Sequence, residues 1–103
     1  MSYARITRIV PVPGREQEIA NLLDSYLEWL VNREGFMLGL NLEPAEGSQI
    51  VRVIVWENSS VADATATNDH ALAIRSQLIS LSLDQAIHEE EFSVRLFKAP
   101  NWA

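Results

Sequence analysis

The stretch IVRVIVW, residues 50–56, places the strongest constraint on how this chain folds. Its β-branched residues favour a strand, in which alternate side chains point to opposite faces. Both sets of side chains are mostly apolar, and they comprise Val51, Val53 and Val55 on one side and Arg52, Ile54 and Trp56 on the other. An antiparallel sheet with one face in water needs apolar side chains on one face only. We therefore expect this strand to lie in a sheet that is covered on both faces.

Around this strand, the chain shows signals for three more strands and for two helical regions. Residues 3–10 are rich in β-branched residues and end at the breaker PVPG, which predicts a first strand. Over residues 15–33 apolar residues recur at helical spacing, and Gly35 follows the end of that pattern. The turn PAEGS joins residues 36–44 to residues 49–57, and this predicts an antiparallel hairpin. The apolar stripe of the first helix consists of Ile19, Leu22, Leu23, Tyr26, Leu27 and Leu30.

Two helix start signals and a final strand complete the order of elements. Ser59 or Ser60 can cap a short helix, and Asn68 or Asp69 can cap a second helix, unless the two are one bent helix. The alternation in residues 88–97 predicts the last strand. The order βαββαβ is that of the ferredoxin-like α+β fold, in which helices cover one face of a four-stranded antiparallel sheet. The stripe of the last helix consists of Ala71, Ile74, Leu78 and Leu81.

The helices of such a fold leave one face of the sheet open. The open face is expected to carry Arg5, Thr7 and Arg95 together with either Ile54 and Trp56 or Val53 and Val55, depending on the strand register. Leaving large apolar side chains in water costs about 1.5–3 kcal/mol each relative to burial. A second copy related by a two-fold axis presents the same patch and can cover it. We therefore expect a homodimer.

Charge and composition limit the partners and the chemistry. The chain carries 8 Lys and Arg against 14 Asp and Glu, a formal net charge of −6, so nucleic acid and anionic membranes are disfavoured as partners. Without cysteine there is no disulfide, no thiolate metal site and no cysteine nucleophile. No apolar run approaches the about 18 residues of a membrane span, and arginines interrupt the N-terminal stretch where a signal peptide would be apolar. We expect a cytoplasmic protein with a single domain over residues 1–103.

Three segments, in their order and spacing, resemble the antibiotic biosynthesis monooxygenase domain, a branch of the dimeric α/β-barrel proteins. The segments read VPGREQEIANLL, REGFMLGLNL and VIVWENSSVADA, and the tripeptide NDH follows them at the start of the last helix. The resemblance covers nearly the whole chain and implies a barrel built from the two sheets of a dimer, with a ligand cavity. Members of the family oxidise electron-rich phenols, quinols or polycyclic aromatics with O2 and without a cofactor. One branch binds and degrades haem, and other members have no known activity.

The resemblance suggests functional roles for His70 and Trp56. His70 matches a histidine that the family often carries at the start of the last helix, where a neutral imidazole can take a proton from a phenol or quinol. The positive end of a helix disfavours the imidazolium form, which supports such a role. The alternative is a surface histidine near a helix cap. Trp56 can stack on an aromatic substrate or can simply fill the end of the core.

Three polar residues complete the predicted substrate-binding set. Thr7 stands where the haem-degrading branch carries an asparagine on its first strand, which disfavours haem as a ligand. Asn41 on the second strand offers a hydrogen-bonding amide, although a solvated position is the alternative. Arg5 on the first strand is the third member of the set. We expect no cofactor and a small apolar or aromatic ligand.

The run HEEE, residues 88–91, is the one acidic cluster that raises a metal-binding hypothesis. Strand alternation sends His88 and Glu90 to one face and Glu89 and Glu91 to the other, so at most two ligands converge from this strand. We interpret the run as a solvated acidic edge that discourages aggregation. No metal site is predicted.

Two hypotheses of different class follow. The first is a cofactor-independent monooxygenase in which His70 is the base and Trp56 shapes the pocket. The second is a non-catalytic dimer that binds a small ligand or serves as a scaffold. A cavity that contains His70 and convergent polar groups would favour the first hypothesis. A filled core with His70 in solvent would favour the second.

Overall fold

The sheet order and the element order are those of the ferredoxin-like fold, as predicted. The computed structural model describes residues 1–100. The four strands form one antiparallel sheet in the order β2-β3-β1-β4. The elements are β1 (Tyr3–Pro11), α1 (Glu16–Leu30), β2 (Phe36–Leu42), β3 (Ile50–Trp56), α2 (Ser59–Ala66), α3 (Asp69–Ser80) and β4 (Ser82–Ser93).

The strand register assigns each side chain to a face, because directly opposed residues of antiparallel strands share a face. Tyr3 opposes Trp56 and Ile9 opposes Ile50, and these residues form the helix-covered face together with Arg5, Thr7, Arg52 and Ile54. The other face, here called the open face, carries Ala4, Ile6, Arg8, Leu38, Leu40, Leu42, Val51, Val53, Val55, His88, Glu90 and Phe92.

The predicted placement of Arg5 and Thr7 on the open face is therefore wrong. Both lie under the helices, on the same face as Trp56 and Ile54, and Arg95 lies beyond the end of β4. The physical reason is that the space between the sheet and the helices contains polar side chains as well as the apolar core. The open face consequently carries Val53 and Val55, the second of the two alternatives.

Helices α1 and α3 cover one face of the sheet through the apolar stripes that the sequence predicts. In α1 the buried residues are Ile19, Leu23, Tyr26 and Leu30, whereas Leu22 and Leu27 are partly buried. The stripe Ala71, Ile74, Leu78 and Leu81 is buried throughout. Each buried leucine or isoleucine stabilises the fold by about 1.5–3 kcal/mol relative to exposure.

The last strand begins and ends earlier than its local alternation indicates. The strand starts at Ser82 rather than at residue 88, and Ser82 pairs with Pro11 of β1. The register shifts between Ile9 and Pro11, and Asp84 and Gln85 have φ values of 57° and 53°. Because of this irregular start, the first residues of β4 do not alternate as a regular strand does, and their pairing with β1 defines the strand instead.

Each of the last two helices begins at an asparagine. Asn58, rather than Ser59 or Ser60, caps α2, and its Oδ1 accepts a hydrogen bond from the Val61 amide at 3.1 Å. Asn68 caps α3 as predicted, with its Oδ1 2.8 Å from the His70 amide nitrogen. The two helices are separate. Within residues 1–100, no helix combines the length and the hydropathy needed to cross a membrane.

Replacing Asn58 with alanine is expected to lower the free energy of unfolding by about 1 kcal/mol, because the Val61 amide loses its acceptor at the helix start. Urea denaturation measures this change. The matched control is Ser60→Ala, which removes the hydroxyl of a predicted cap and should change stability by less than about 0.5 kcal/mol. A larger loss for the Ser60 variant than for the Asn58 variant would contradict the assignment.

Candidate functional site

A cavity of about 430 Å³ lies between the helix-covered face of the sheet and the helices. Its volume falls within the range of about 300–1,000 Å³ that is usual for small-molecule sites. The sheet contributes Arg5, Thr7, Arg52, Ile54, Trp56, Glu89 and Glu91, and the helices contribute Tyr26, Leu30, Ala62, Thr65, Ala66, Ala71, Leu72, Arg75 and Leu78. The cavity thus combines apolar walls with several charged groups, which is the composition expected of a binding site.

Arg52, which is partly buried, brings a positive charge to the cavity. Its Nη2 donates to Thr7 Oγ1 at 3.4 Å, and its guanidinium carbon lies 5.0 Å from the centre of the Tyr26 ring. Its Nε and Nη1 atoms are buried and have no hydrogen-bond partner within residues 1–100. Burial lowers the pKa of Arg52 below its ordinary value. A guanidinium nevertheless remains protonated in proteins, so the positive charge persists.

Arg5 is the second guanidinium of the cavity, and acidic side chains neutralise it. Its Nη2 lies 3.0 Å from Glu91 Oε1 and 3.3 Å from Asp63 Oδ1, and it donates to the Tyr3 hydroxyl at 2.9 Å. The Tyr3 hydroxyl and the Arg5 guanidinium hold the pKa of Glu91 below its usual value. Glu91 is therefore a carboxylate at neutral pH, and its charge is balanced by Arg5.

Glu89 and Arg75 form the third charged group. Arg75 Nη1 donates to Glu89 Oε1, and Glu89 Oε2 lies 3.9 Å from Arg5 Nε. The cavity lining thus holds three guanidinium groups against two carboxylates. Because Asp63 adds a third carboxylate beside Arg5, the charges balance overall, and Arg52 is the one guanidinium of the lining without a carboxylate within 4.0 Å among residues 1–100.

Aromatic rings form part of the cavity wall. Trp56 is buried, lines the cavity and packs edge-on against Phe36, with ring centres 5.9 Å apart and an interplanar angle of 88°. Tyr26 lines the cavity from α1, and burial raises the pKa of its phenol although Arg52 opposes that shift. The Tyr26 hydroxyl is accordingly neutral at physiological pH and can donate a hydrogen bond.

His70 lies outside the cavity, at the exposed start of α3. Its ring centre is 4.7 Å from that of Trp29 and 6.3 Å from that of Tyr26. Tyr26 and Trp29 stack with ring centres 5.7 Å apart, so the cavity residue Tyr26 and the exposed His70 belong to one aromatic cluster. The catalytic role of His70 stays a prediction.

The structure brings together three of the four predicted substrate-binding residues, since Arg5, Thr7 and Trp56 all line the cavity. Asn41 lies beside it on β2, opposite Arg52, and its Nδ2 donates to Asp24 Oδ1 at 3.0 Å. The Asn41 Oδ1 atom is buried without a hydrogen-bond partner among the described residues. The structure thus places Asn41 in the floor of the sheet rather than in the cavity lining.

Arg52, Tyr26 and the pair Glu89 and Glu91 line the cavity but are not predicted from the sequence as site residues. One signal was available for Arg52, since it is the single charge in the otherwise apolar stretch IVRVIVW. Tyr26 follows the helical stripe and could not be told from a core residue. Among the described residues, no group of three or more His, Asp or Glu side chains is placed to share a metal ion.

The chain is similar to known proteins in structure rather than in sequence. No family model and no curated protein sequence matches the chain. Rv0793 from Mycobacterium tuberculosis is similar in structure over 97% of this chain and all of its own, with a TM-score of 0.85 and 21% identity. SnoaB, a cofactor-independent oxygenase from Streptomyces nogalater, is similar over 93% of this chain and 95% of its own, with a TM-score of 0.80 and 16% identity.

A third similar structure comes from Nitrosomonas europaea, and it is that of a protein proposed to be an antibiotic biosynthesis monooxygenase. It matches 91% of this chain and 90% of its own, with a TM-score of 0.81 and 14% identity. The chain therefore has the fold of the antibiotic biosynthesis monooxygenases, as the sequence resemblance implies. At these identities the likeness is one of fold, and fold alone does not define activity.

Proposed function

We propose that the protein is a cofactor-independent monooxygenase that oxidises a small phenol, quinol or polycyclic aromatic with O2 inside the cavity. The observation that carries this proposal is the cavity in which Trp56 and Tyr26 can contact an aromatic ring while Arg52 supplies a positive charge. The fold shared with the oxygenase SnoaB supports the same reaction class.

The chemistry requires an anion, because a phenolate gives up an electron to O2 far more readily than the neutral phenol does. Three guanidinium groups line the cavity, and a positive charge close to the ring oxygen stabilises such an anion where little water screens it. The anion transfers one electron to O2, and the resulting superoxide joins the ring carbon. One O–O bond and one C–H bond then break, so that the product is a quinone and the second oxygen leaves as water. The substrate supplies all four electrons that reduce O2, and its O–H and C–H hydrogens end in the water molecule, so no external reductant is consumed.

Two groups are candidates for the base that takes the phenol proton. His70 is the candidate that the family resemblance suggests, and it contacts the cavity wall through Trp29 and Tyr26. Glu89 is the second candidate, because its carboxylate lines the cavity directly. A base must come within hydrogen-bond reach of its proton, directly or through one water molecule, and this requirement favours Glu89.

A second candidate function is ligand binding without catalysis. The exposed position of His70 outside the cavity is the observation that favours it. The polar and aromatic lining would then select a ligand without activating oxygen.

We also propose that the protein is a homodimer of single-domain subunits whose interface is the open face. Leu40, Leu42 and Phe92 are 45%, 43% and 47% exposed on that face, and contiguous exposed apolar side chains are typical of interaction surfaces. Because a two-fold axis brings identical patches together, each copy would cover the leucines of the other.

Oxygen uptake by the purified protein, measured against a panel of quinols and polycyclic phenols in air, tests the oxygenase proposal. We expect uptake above the buffer rate with at least one compound. Replacing the base should lower the rate by about 10²-fold or more, so His70→Ala and Glu89→Gln distinguish the two candidates. The matched control is Glu28→Gln on the exposed side of α1, which should retain the wild-type rate.

Uptake that never exceeds the buffer rate would contradict the oxygenase and favour the binding function. Uptake that survives in both base variants would retain the oxygenase and exclude both residues as the base.

A further inference from the structure

We propose that the molecule bound in this cavity is an aromatic carboxylate whose carboxylate group contacts the Arg52 guanidinium. This assignment rests on the proposed function, because the same cavity holds the substrate, and it specifies the substrate as a hydroxylated aromatic acid. The acid group is held at Arg52, and the ring that is oxidised lies along the apolar wall.

Arg52 has hydrogen-bond donors without partners. A guanidinium has five N–H groups in a planar fork. In Arg52 the Nη2 contact to Thr7 is long, at 3.4 Å, while Nε and Nη1 have no hydrogen-bond partner within the described chain. A carboxylate can take two parallel hydrogen bonds from such a group, here from the second hydrogen of Nη2 together with either Nε or Nη1.

Arg52 has no carboxylate partner, unlike the other two arginines of the cavity. Arg5 contacts Glu91 and Asp63, and Arg75 contacts Glu89. No carboxylate within residues 1–100 lies within 4.0 Å of the Arg52 nitrogens. Arg52 is partly buried, and a charge that is held away from water without a partner is unfavourable. A carboxylate on the ligand would supply the missing partner.

The carboxylates around the cavity limit the charge of the ligand. Glu89 and Glu91 line the cavity and Asp63 contacts Arg5, so the three guanidinium groups of the lining already face three carboxylates. The ligand group next to Arg52 is therefore expected to carry one negative charge rather than two, because these carboxylates repel each further charge. A carboxylate meets this condition, whereas a phosphate monoester with about two charges at neutral pH does not. The ring hydroxyl binds in its protonated form and loses its proton only during the reaction.

The apolar part of the cavity lining indicates the chemistry of the rest of the ligand. Ile54, Trp56, Leu30 and Leu78 line the cavity and are buried, and they leave a predominantly apolar surface next to Arg52. The Tyr26 ring faces the same guanidinium. Flat aromatic rings pack well on such aromatic and aliphatic walls.

Calorimetric titration with matched pairs of probes tests the assignment. The pairs are 2-naphthoate with 2-naphthamide and benzoate with benzamide, which have similar shapes but differ in charge. We expect at least one carboxylate to bind the wild-type protein about tenfold or more tightly than its amide. Arg52→Gln should abolish this preference, and Arg52→Lys, which keeps the charge but lacks the fork, should reduce it. Arg15→Gln, at an exposed arginine that pairs with Glu18, should retain it.

Two outcomes would overturn the assignment: carboxylates that bind the wild-type protein no more tightly than their amides, or a preference that survives in Arg52→Gln. If Arg52→Gln does not fold, the wild-type comparison and Arg52→Lys still decide the matter. Oxygen uptake is measured separately. If the protein prefers carboxylates but takes up no oxygen, the carboxylate site stands and the oxygenase function is wrong. If the protein takes up oxygen with neutral quinols but does not prefer carboxylates, the oxygenase function stands and the carboxylate site is wrong.

Discussion

Replacing Arg52 with methionine is expected to raise the free energy of unfolding of the ligand-free protein by about 1–3 kcal/mol. Arg52 carries a buried charge whose Nε and Nη1 atoms lack partners within residues 1–100. Methionine has a flexible apolar side chain of similar length, so it can fill the space among Tyr26, Ile54 and Leu78 without that desolvation cost. Urea denaturation with linear extrapolation measures the difference.

The matched control for this prediction is Arg15→Met. Arg15 is exposed at the start of α1 and pairs with Glu18, so its replacement should change stability by no more than about 0.5 kcal/mol. A loss of stability in the Arg52 variant would contradict the prediction, since it would mean that the folded chain compensates the charge. Residues that serve a function at the expense of stability are common in binding sites.

Replacing Val53 with aspartate is expected to convert the proposed homodimer into monomers. Val53 lies on β3 between Ile6 of β1 and Leu40 of β2, near the middle of the open face. The two-fold axis would place two such carboxylates in one interface, and each costs several kcal/mol to bury without a partner. The dimer dissociation constant should therefore rise by about 10³-fold or more. Sedimentation equilibrium measures it.

The control for the dimer prediction is Ser25→Asp, which adds the same charge on the exposed side of α1. This variant should sediment like the wild-type protein. A wild-type protein that is monomeric would contradict the proposed dimer, and a dimer that tolerates the Val53 substitution would place the interface elsewhere.

The parts of the fold that the sequence predicted correctly are those set by local periodicity. The stripe of α1 and that of α3 repeat at helical spacing, and their members are buried apart from Leu22 and Leu27, which are partly buried. Strand alternation also separated Glu89 and Glu91 from His88 and Glu90 correctly. These patterns depend only on the 3.6-residue and two-residue periods of the backbone, so one sequence is enough to reveal them.

The candidate site was predicted only in part, because it depends on which face of the sheet each strand turns toward the helices. Arg5 and Thr7 were expected on the open face, yet both line the cavity with Trp56. A shift of one residue in register exchanges the two faces of a strand, and nothing local in β1 decides between them. Arg52 is likewise a single charged residue in an apolar strand, and the sequence alone does not show that its side chain lines a cavity.

The sequence by itself determined the order of the elements, the apolar stripes and the α+β class, since hydrophobic periodicity acts along the chain. Tertiary structure decided the strand register, the start of β4, the cavity and the partners of its charges. It also decided that His70 lies outside the cavity while Glu89 lines it. These properties arise from distances between residues that are far apart in the chain. The unpaired state of Arg52 is the clearest case, because it depends on which carboxylates reach Arg5 and Arg75 instead.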